Sequence, residues 1–370
     1  MEGLLSFWYT GTKMIKIPRY LLSAILVFLL LISCDNNNEF DDLYPVAADQ
    51  ELNIEEIVKA FNLLSEVNTL NGIALGKHGK IAAAKYFNDT GRDDLHDVRS
   101  VTKSVMGLLT GIAINEGDIS GKYQTLRELM PGRIAPLTNS SVGDITIENI
   151  LTMSSGLEWH ELDGGNSYGI WYWSDDPIHW VLNQDVIHEP GDGFNYNTGS
   201  IHLLSSIITS KTGQTTLEYA QEHIFDPMGV DSDWTSMPPD NYLNNGGAGL
   251  KVSIPTLFKI GTMMLDAGVW EGEQLIPVNW AQQSITFQNV THSSNPYWSK
   301  YGYLWWIGEA HDMEYYFASG YGGQFILCVP ELDFVVVTAA DWSGLGWDAA
   351  GQNWYDIIIV LIETILPAAS

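Results

Sequence analysis

Apolar residues at Val101, Val105, Leu108, Leu109 and Ile112 recur at helical spacing, so the pattern predicts a helix that opens near Ser100 and closes near Gly117. Upstream, Ile54, Ile57, Phe61 and Leu64 mark an amphipathic helix. Residues 72–87, GIALGKHGKIAAAKYF, read as two β-prone runs around a turn at Lys77 to Lys80. Between Gly121 and His188 the chain is helical and rich in loops, with a helix from Thr146 to Leu151 and Gly156 as its stop signal. Further helices are predicted around His202 to Ser210, over Leu217 to Phe225, and up to Leu265. From Tyr301 the pattern changes to YGYLWWIG, YYFASGYGGQFILCVP and LDFVVVTAAD, consecutive antiparallel strands separated by turn signals. Trp354 to Leu366 closes the chain as a strongly apolar helix. Strands and a helix at both ends, with helices between, predict an α/β fold: an antiparallel sheet flanked by helices, built from both chain ends, with a mostly helical inserted subdomain.

The first residues stand apart from that fold. Lys13, Lys16 and Arg19 precede the apolar run Leu21 to Ile32, which is short for a membrane span, and the run ends in Leu31-Ile32-Ser33-Cys34. That ending resembles the lipobox of bacterial lipoproteins and implies a lipid on Cys34, with Met1 or Met14 as the start. The expected organisation is a signal peptide over 1–34, a polar tether over 35–50 and one domain over 51–370. With Cys34 lipidated, Cys328 has no intramolecular partner, and its place in FILCVP reads as a buried strand thiol. The composition, 45% hydrophobic over 370 residues, allows a large core. A formal net charge of −28 argues against nucleic-acid binding and opposes anionic small molecules unless a local cation captures them.

The candidate chemistry begins on the Ser100 helix. Residues three apart share a face, which brings the Lys103 amine within reach of the Ser100 hydroxyl. A serine needs a base to become a nucleophile, and a lysine serves only when burial leaves its amine neutral. The helix start adds free backbone N–H groups beside the same atom. An aromatic segment, Trp159, Tyr168, Trp171, Tyr172, Trp173 and Trp180, either lines a cleft for a flat or apolar ligand or packs inside. His160, Glu161 and Asp163 lack a well-spaced partner for a metal, and no cofactor motif is present.

Three ordered stretches then resemble the serine β-lactamase and penicillin-binding protein superfamily, in its class C-like branch with esterases and 6-aminohexanoate-dimer hydrolases. They are Ser100-Val101-Thr102-Lys103, the segment Pro190 to Thr198 (PGDGFNYNT), and Gly320-Tyr321-Gly322. The resemblance implies a β-lactamase-like fold and an acyl-enzyme on Ser100. Its proton goes to Lys103 or Tyr196, and the oxyanion hole is made by the N–H groups of Ser100 and Gly323. Thr198 stands where the family usually has asparagine, and with Tyr321 and Trp173 is expected at the substrate. Gly320 stands where relatives carry a cation, so a neutral ester or amide is the expected substrate. The implied activity is an exported serine hydrolase. A D,D-peptidase or β-lactamase, and a catalytically silent ligand-binding lipoprotein, remain alternatives.

Overall fold

The computed structural model describes residues 50–370 apart from 138, 163, 164, 239–241 and 292. Cys34, the signal segment and the tether up to residue 49 lie outside the described residues. In chain order the strands are β1 (Leu70–Lys77), β2 (Lys80–Tyr86), β3 (His96–Asp97), β4 (Asp233–Trp234), β5 (Leu250–Val252), β6 (Val269–Trp270), β7 (Glu273–Gln274), β8 (Asn289–Val290), β9 (Lys300–Tyr301), β10 (Trp306–Ala310), β11 (Met313–Gly320), β12 (Gln324–Val329) and β13 (Phe334–Ala340). The five longest helices among the described residues are α1 (Ile54–Leu64), α2 (Val101–Glu116), α3 (Thr198–Thr212), α4 (Ile254–Leu265) and α5 (Trp347–Val360). None is long and apolar enough to cross a membrane.

An eight-stranded antiparallel sheet runs in the order β2-β1-β13-β12-β11-β10-β9-β8. Its middle joins the two ends of the described chain, with β1 paired to β13 from Leu70↔Ala340 to Lys77↔Phe334. Every residue of β1, β12 and β13 is buried, which explains runs such as FVVVTAA: a strand covered on both faces has no polar side to alternate. On one face α4 lies so close that a Cβ on Gly261 would stand 2.7 Å from Val335 Cγ1. On the other, Trp354 of α5 meets Phe325 of β12 with ring centroids 5.7 Å apart. A three-stranded sheet, β3-β5-β4, ties the segment before α2 to the later chain.

The expected apolar stripe on α2 is instead a helix covered on every face, because Val101 to Ala113 are all buried. The helix threads between the sheet and the helical subdomain, and its polar side chains find local partners. Ser104 Oγ donates to Leu304 O (2.6 Å), Thr110 Oγ1 to Met106 O (2.8 Å), and Thr102 Oγ1 accepts from Leu250 N (3.2 Å). α3 starts four residues before the expected His202, because Asn197 Oδ1 caps it by accepting from Ser200 N at 2.8 Å. The helix Ile147–Leu151 stops at Thr152 rather than at Gly156, with Met153 taking a positive φ of 55°. The closing helix starts at Trp347 instead of Trp354, ahead of the apolar run Ile357-Ile358-Ile359-Val360.

Candidate active site

Ser100 occupies the N-cap position of α2, yet its side chain makes no capping hydrogen bond. The hydroxyl is therefore left for Lys103, whose Nζ donates to Ser100 Oγ at 2.7 Å and to Gly247 O at 2.8 Å. Lys103 is 1% exposed. Burial lowers its pKa from 10.5 to about 7, with Glu161 opposing that shift and Arg99 adding to it. At neutral pH a large fraction of Lys103 is therefore an unprotonated amine beside the serine, the state a base requires.

Tyr196 closes the third side. Lys103 Nζ lies 4.9 Å from its ring centroid, and its phenol shares a hydrogen bond with Ser100. Burial, reinforced by the Glu161 charge, pushes its pKa well above the ordinary tyrosine value despite that bond. Tyr196 is thus a phenol at neutral pH and a proton donor or relay, whereas the depressed pKa makes Lys103 the stronger candidate for the base.

Glu161 is the site residue that sequence reasoning missed, having set it aside with His160 and Asp163 for want of a metal-binding partner. Its carboxylate accepts from Trp159 Nε1 (2.7 Å), Thr198 N (3.1 Å) and Thr198 Oγ1 (2.7 Å). Among the described residues no three His, Cys, Asp or Glu side chains cluster as a metal site, and Asp163 lies outside them. Glu161 instead supplies a negative charge that acts on Lys103, Tyr196 and Arg99. Only the fold brings it to Thr198, 37 residues later.

Several expected contacts are corrected. Thr198 has no exposed surface and spends its hydroxyl on Glu161, so it holds that carboxylate rather than substrate. Trp173 is 77% exposed and does not line the cavity in front of Ser100. Gly323 donates its N–H to Gly320 O (3.2 Å), closing the β11–β12 turn, and does not face the cavity either. The N–H groups of Ser100 and Tyr321 have no protein partner among the described residues, and both residues line the cavity. With that of Gly322, which also lines the cavity and has no protein partner among the described residues, they are the N–H groups available to an oxyanion. Gly320 is required sterically: a Cβ there would stand 2.4 Å from Val98 O, two residues before Ser100. No side chain, cationic or otherwise, fits where the strand passes so close to the nucleophile.

The cavity has a volume of about 1140 Å³. Trp159 and Tyr168 of the predicted aromatic segment face it, while Trp171 is fully buried packing. Much of the aromatic wall comes from the C-terminal third, as Trp298, Trp306, Trp342, Trp347 and Trp354. Those tryptophans are dispersed in sequence and converge only through the sheet edge and α5.

Residues 71–361 match the Beta-lactamase family, and the chain belongs to it. It is a serine hydrolase of β-lactamase fold. The 6-aminohexanoate-dimer hydrolase of Paenarthrobacter ureafaciens is 23% identical over 288 residues, 72% of this chain and 70% of that protein. The lovastatin esterase of Penicillium rubens is 29% identical over 104 residues, 26% of this chain and 25% of the esterase. Among solved structures, a protein of Bacillus anthracis described as a 6-aminohexanoate-dimer hydrolase superposes with TM-score 0.69 at 20% identity, covering 84% of this chain and 81% of that one. The octameric penicillin-binding protein homologue of Pyrococcus abyssi gives TM-score 0.63 at 18% identity, covering 83% and 76%.

Proposed function

We propose that this protein is an exported, lipid-anchored hydrolase that cleaves an ester or amide through an acyl-enzyme on Ser100. The observation that carries this reading is the 2.7 Å hydrogen bond from a fully buried Lys103, with its pKa brought to about 7, to the Ser100 hydroxyl. Lys103 takes the serine proton as Ser100 Oγ attacks the carbonyl carbon. The developing oxyanion is received by the N–H groups of Ser100 and Tyr321. Tyr196, held as a phenol, gives its proton to the leaving oxygen or nitrogen and is reprotonated by Lys103; water then attacks the acyl-enzyme with Lys103 again as base, and that proton returns to Ser100 Oγ as the acid leaves. Similarity to a 6-aminohexanoate-dimer hydrolase, whose named substrate is joined by an amide, and to a lovastatin esterase supports both bond types. The lipid anchor rests on Leu31 to Cys34 and the positive residues ahead of it.

The test is intact-mass labelling of a chain starting at Asp35 with a fluorophosphonate, beside Ser100→Ala. One adduct on the native chain that vanishes in the variant is the expected result. No adduct on a folded chain removes the hydrolase reading and leaves the ligand-binding one. For the anchor, metabolic labelling of the full chain with a fatty acid should disappear in Cys34→Ala, and labelling that persists in the variant would refute it.

A further inference from the structure

Gly320 leaves its own strand position without a cation, but the segment it packs against, just before Ser100, supplies one. Arg99, immediately before the nucleophile, lines the cavity with a side chain only 19% exposed. Its guanidinium stacks 4.2 Å from the Trp342 ring centroid and 5.8 Å from that of Tyr168. A guanidinium carries five N–H donors in a planar fork. Among the described residues this fork makes one hydrogen bond, Nη2 to Tyr168 Oη at the long distance of 3.4 Å. The nearest paired carboxylate oxygen, Asp97 Oδ2, stands 3.7 Å from Nη1, and Asp97 Oδ1 is engaged by the Arg99 backbone N–H at 2.9 Å. Burying such a group with most of its donors unused is costly. The backbone adds to that cost, because Arg99 has a positive φ of 47° where a non-glycine residue is strained. Two aromatic rings flank the fork, and Arg99 lines the cavity beside Ser100. What the fork lacks is a planar acceptor with two oxygens.

The geometry points to Arg99 as a carboxylate receptor, so that the substrate is an ester or amide carrying a free carboxylate a few bonds from the scissile carbonyl. This rests on the hydrolase reading above and replaces the neutral substrate expected from Gly320. The molecule's net charge of −28 repels such a substrate at long range, and Arg99 is the local cation that captures it. Planar, two-point recognition also explains why a stacked arginine rather than a mobile lysine occupies the site.

The experiment compares kcat/KM for para-nitrophenyl hydrogen glutarate with that for its methyl-capped diester, and for para-acetoxybenzoate with its methyl ester. The first pair puts the carboxylate on the acyl side and the second on the leaving-group side. The native chain should favour the free carboxylate in one pair by about 10- to 100-fold, the range for charge-assisted hydrogen bonds. Arg99→Gln should collapse that ratio, chiefly through KM, and Arg99→Lys should restore part of it. Taking the ratio within each variant separates recognition from a general loss of activity. Absence of a preference in both pairs on the native chain overturns the inference whatever the variants do, as does a ratio retained in Arg99→Gln. Fluorophosphonate labelling of the same samples separates the two levels: no adduct removes the hydrolase reading itself, while an adduct without carboxylate preference removes only this inference.

Discussion

Lys103 carries the pH dependence. With its pKa lowered to about 7, mainly by burial, kcat/KM for an uncharged ester should climb as pH rises through about 7 and then level off, read from a pH-rate profile. Glu161 works against burial at that amine, so Glu161→Gln should move the acidic limb to lower pH. A shift to higher pH, or none, would show that the carboxylate does not act on Lys103. Stability follows from the same shift. Between about 7 and 10.5 the unfolded lysine binds a proton that the folded one does not, so ∂ΔG/∂pH is positive and Lys103 makes the native state more stable as pH rises through that window. Denaturant midpoints of the native chain should rise with pH there relative to Lys103→Met, and the variant should be the more stable of the two below about 7. The pair Ser100 and Lys103 was legible because three-residue spacing on a helix dictates contact. Glu161 was not, since nothing local distinguishes a carboxylate that will meet Thr198 from one that will face water.

At the scale of elements, α2 shows how small residues fix the nucleophile. A Cβ on Gly111 would stand 2.1 Å from Trp280 Cδ1, and the Trp280 indole N–H already donates to Gly107 O at 2.9 Å. Gly111→Ala would gain about 1 kcal/mol of helix propensity, but overpacking a close-packed site costs about 1–3 kcal/mol. The Trp280 ring is held by its hydrogen bond, so the loss should win and the denaturant midpoint should fall. An unchanged or raised midpoint would mean that the ring moves freely. Helix existence was readable here from periodicity, but the burial of every face was not. Burial on every face depends on which elements pack around the helix. The start of α3 was likewise displaced by four residues because the capping bond of Asn197 is a local geometry that apolar periodicity does not report.

For the whole molecule, the pairing of β1 with β13 makes the first and last described strands neighbours, with β13 between β1 and β12. A chain ending at Asp333 leaves two buried edges unpaired and removes α5, so it should express as insoluble material without a cooperative thermal transition. A soluble, cooperatively melting product would refute that account of the core. The charge of −28 acts at the same scale. Raising ionic strength from about 10 to 150 mM shortens the Debye length from about 30 Å to about 8 Å. Turnover of the carboxylate-bearing glutarate at low substrate concentration should therefore rise with salt, while turnover of the methyl-capped diester should not.

The sequence alone determined the layering of the fold, because hydrophobic periodicity and turn residues are local properties. It also placed Lys103 beside Ser100, because helical spacing converts directly into distance, while their roles came from the ordered motifs that the chain shares with its family. Tertiary structure decided everything that depends on remote surfaces meeting. Burial supplies the low pKa of Lys103, and the β11–β12 turn consumes the Gly323 N–H, leaving that of Tyr321 available. The approach of β11 to Val98 forces glycine at 320, and the convergence of Trp342 and Tyr168 on Arg99 returns to the site the cation that Gly320 excludes. Desolvation, close approach and ring stacking each need partners from distant parts of the chain, and no pattern within one segment specifies them.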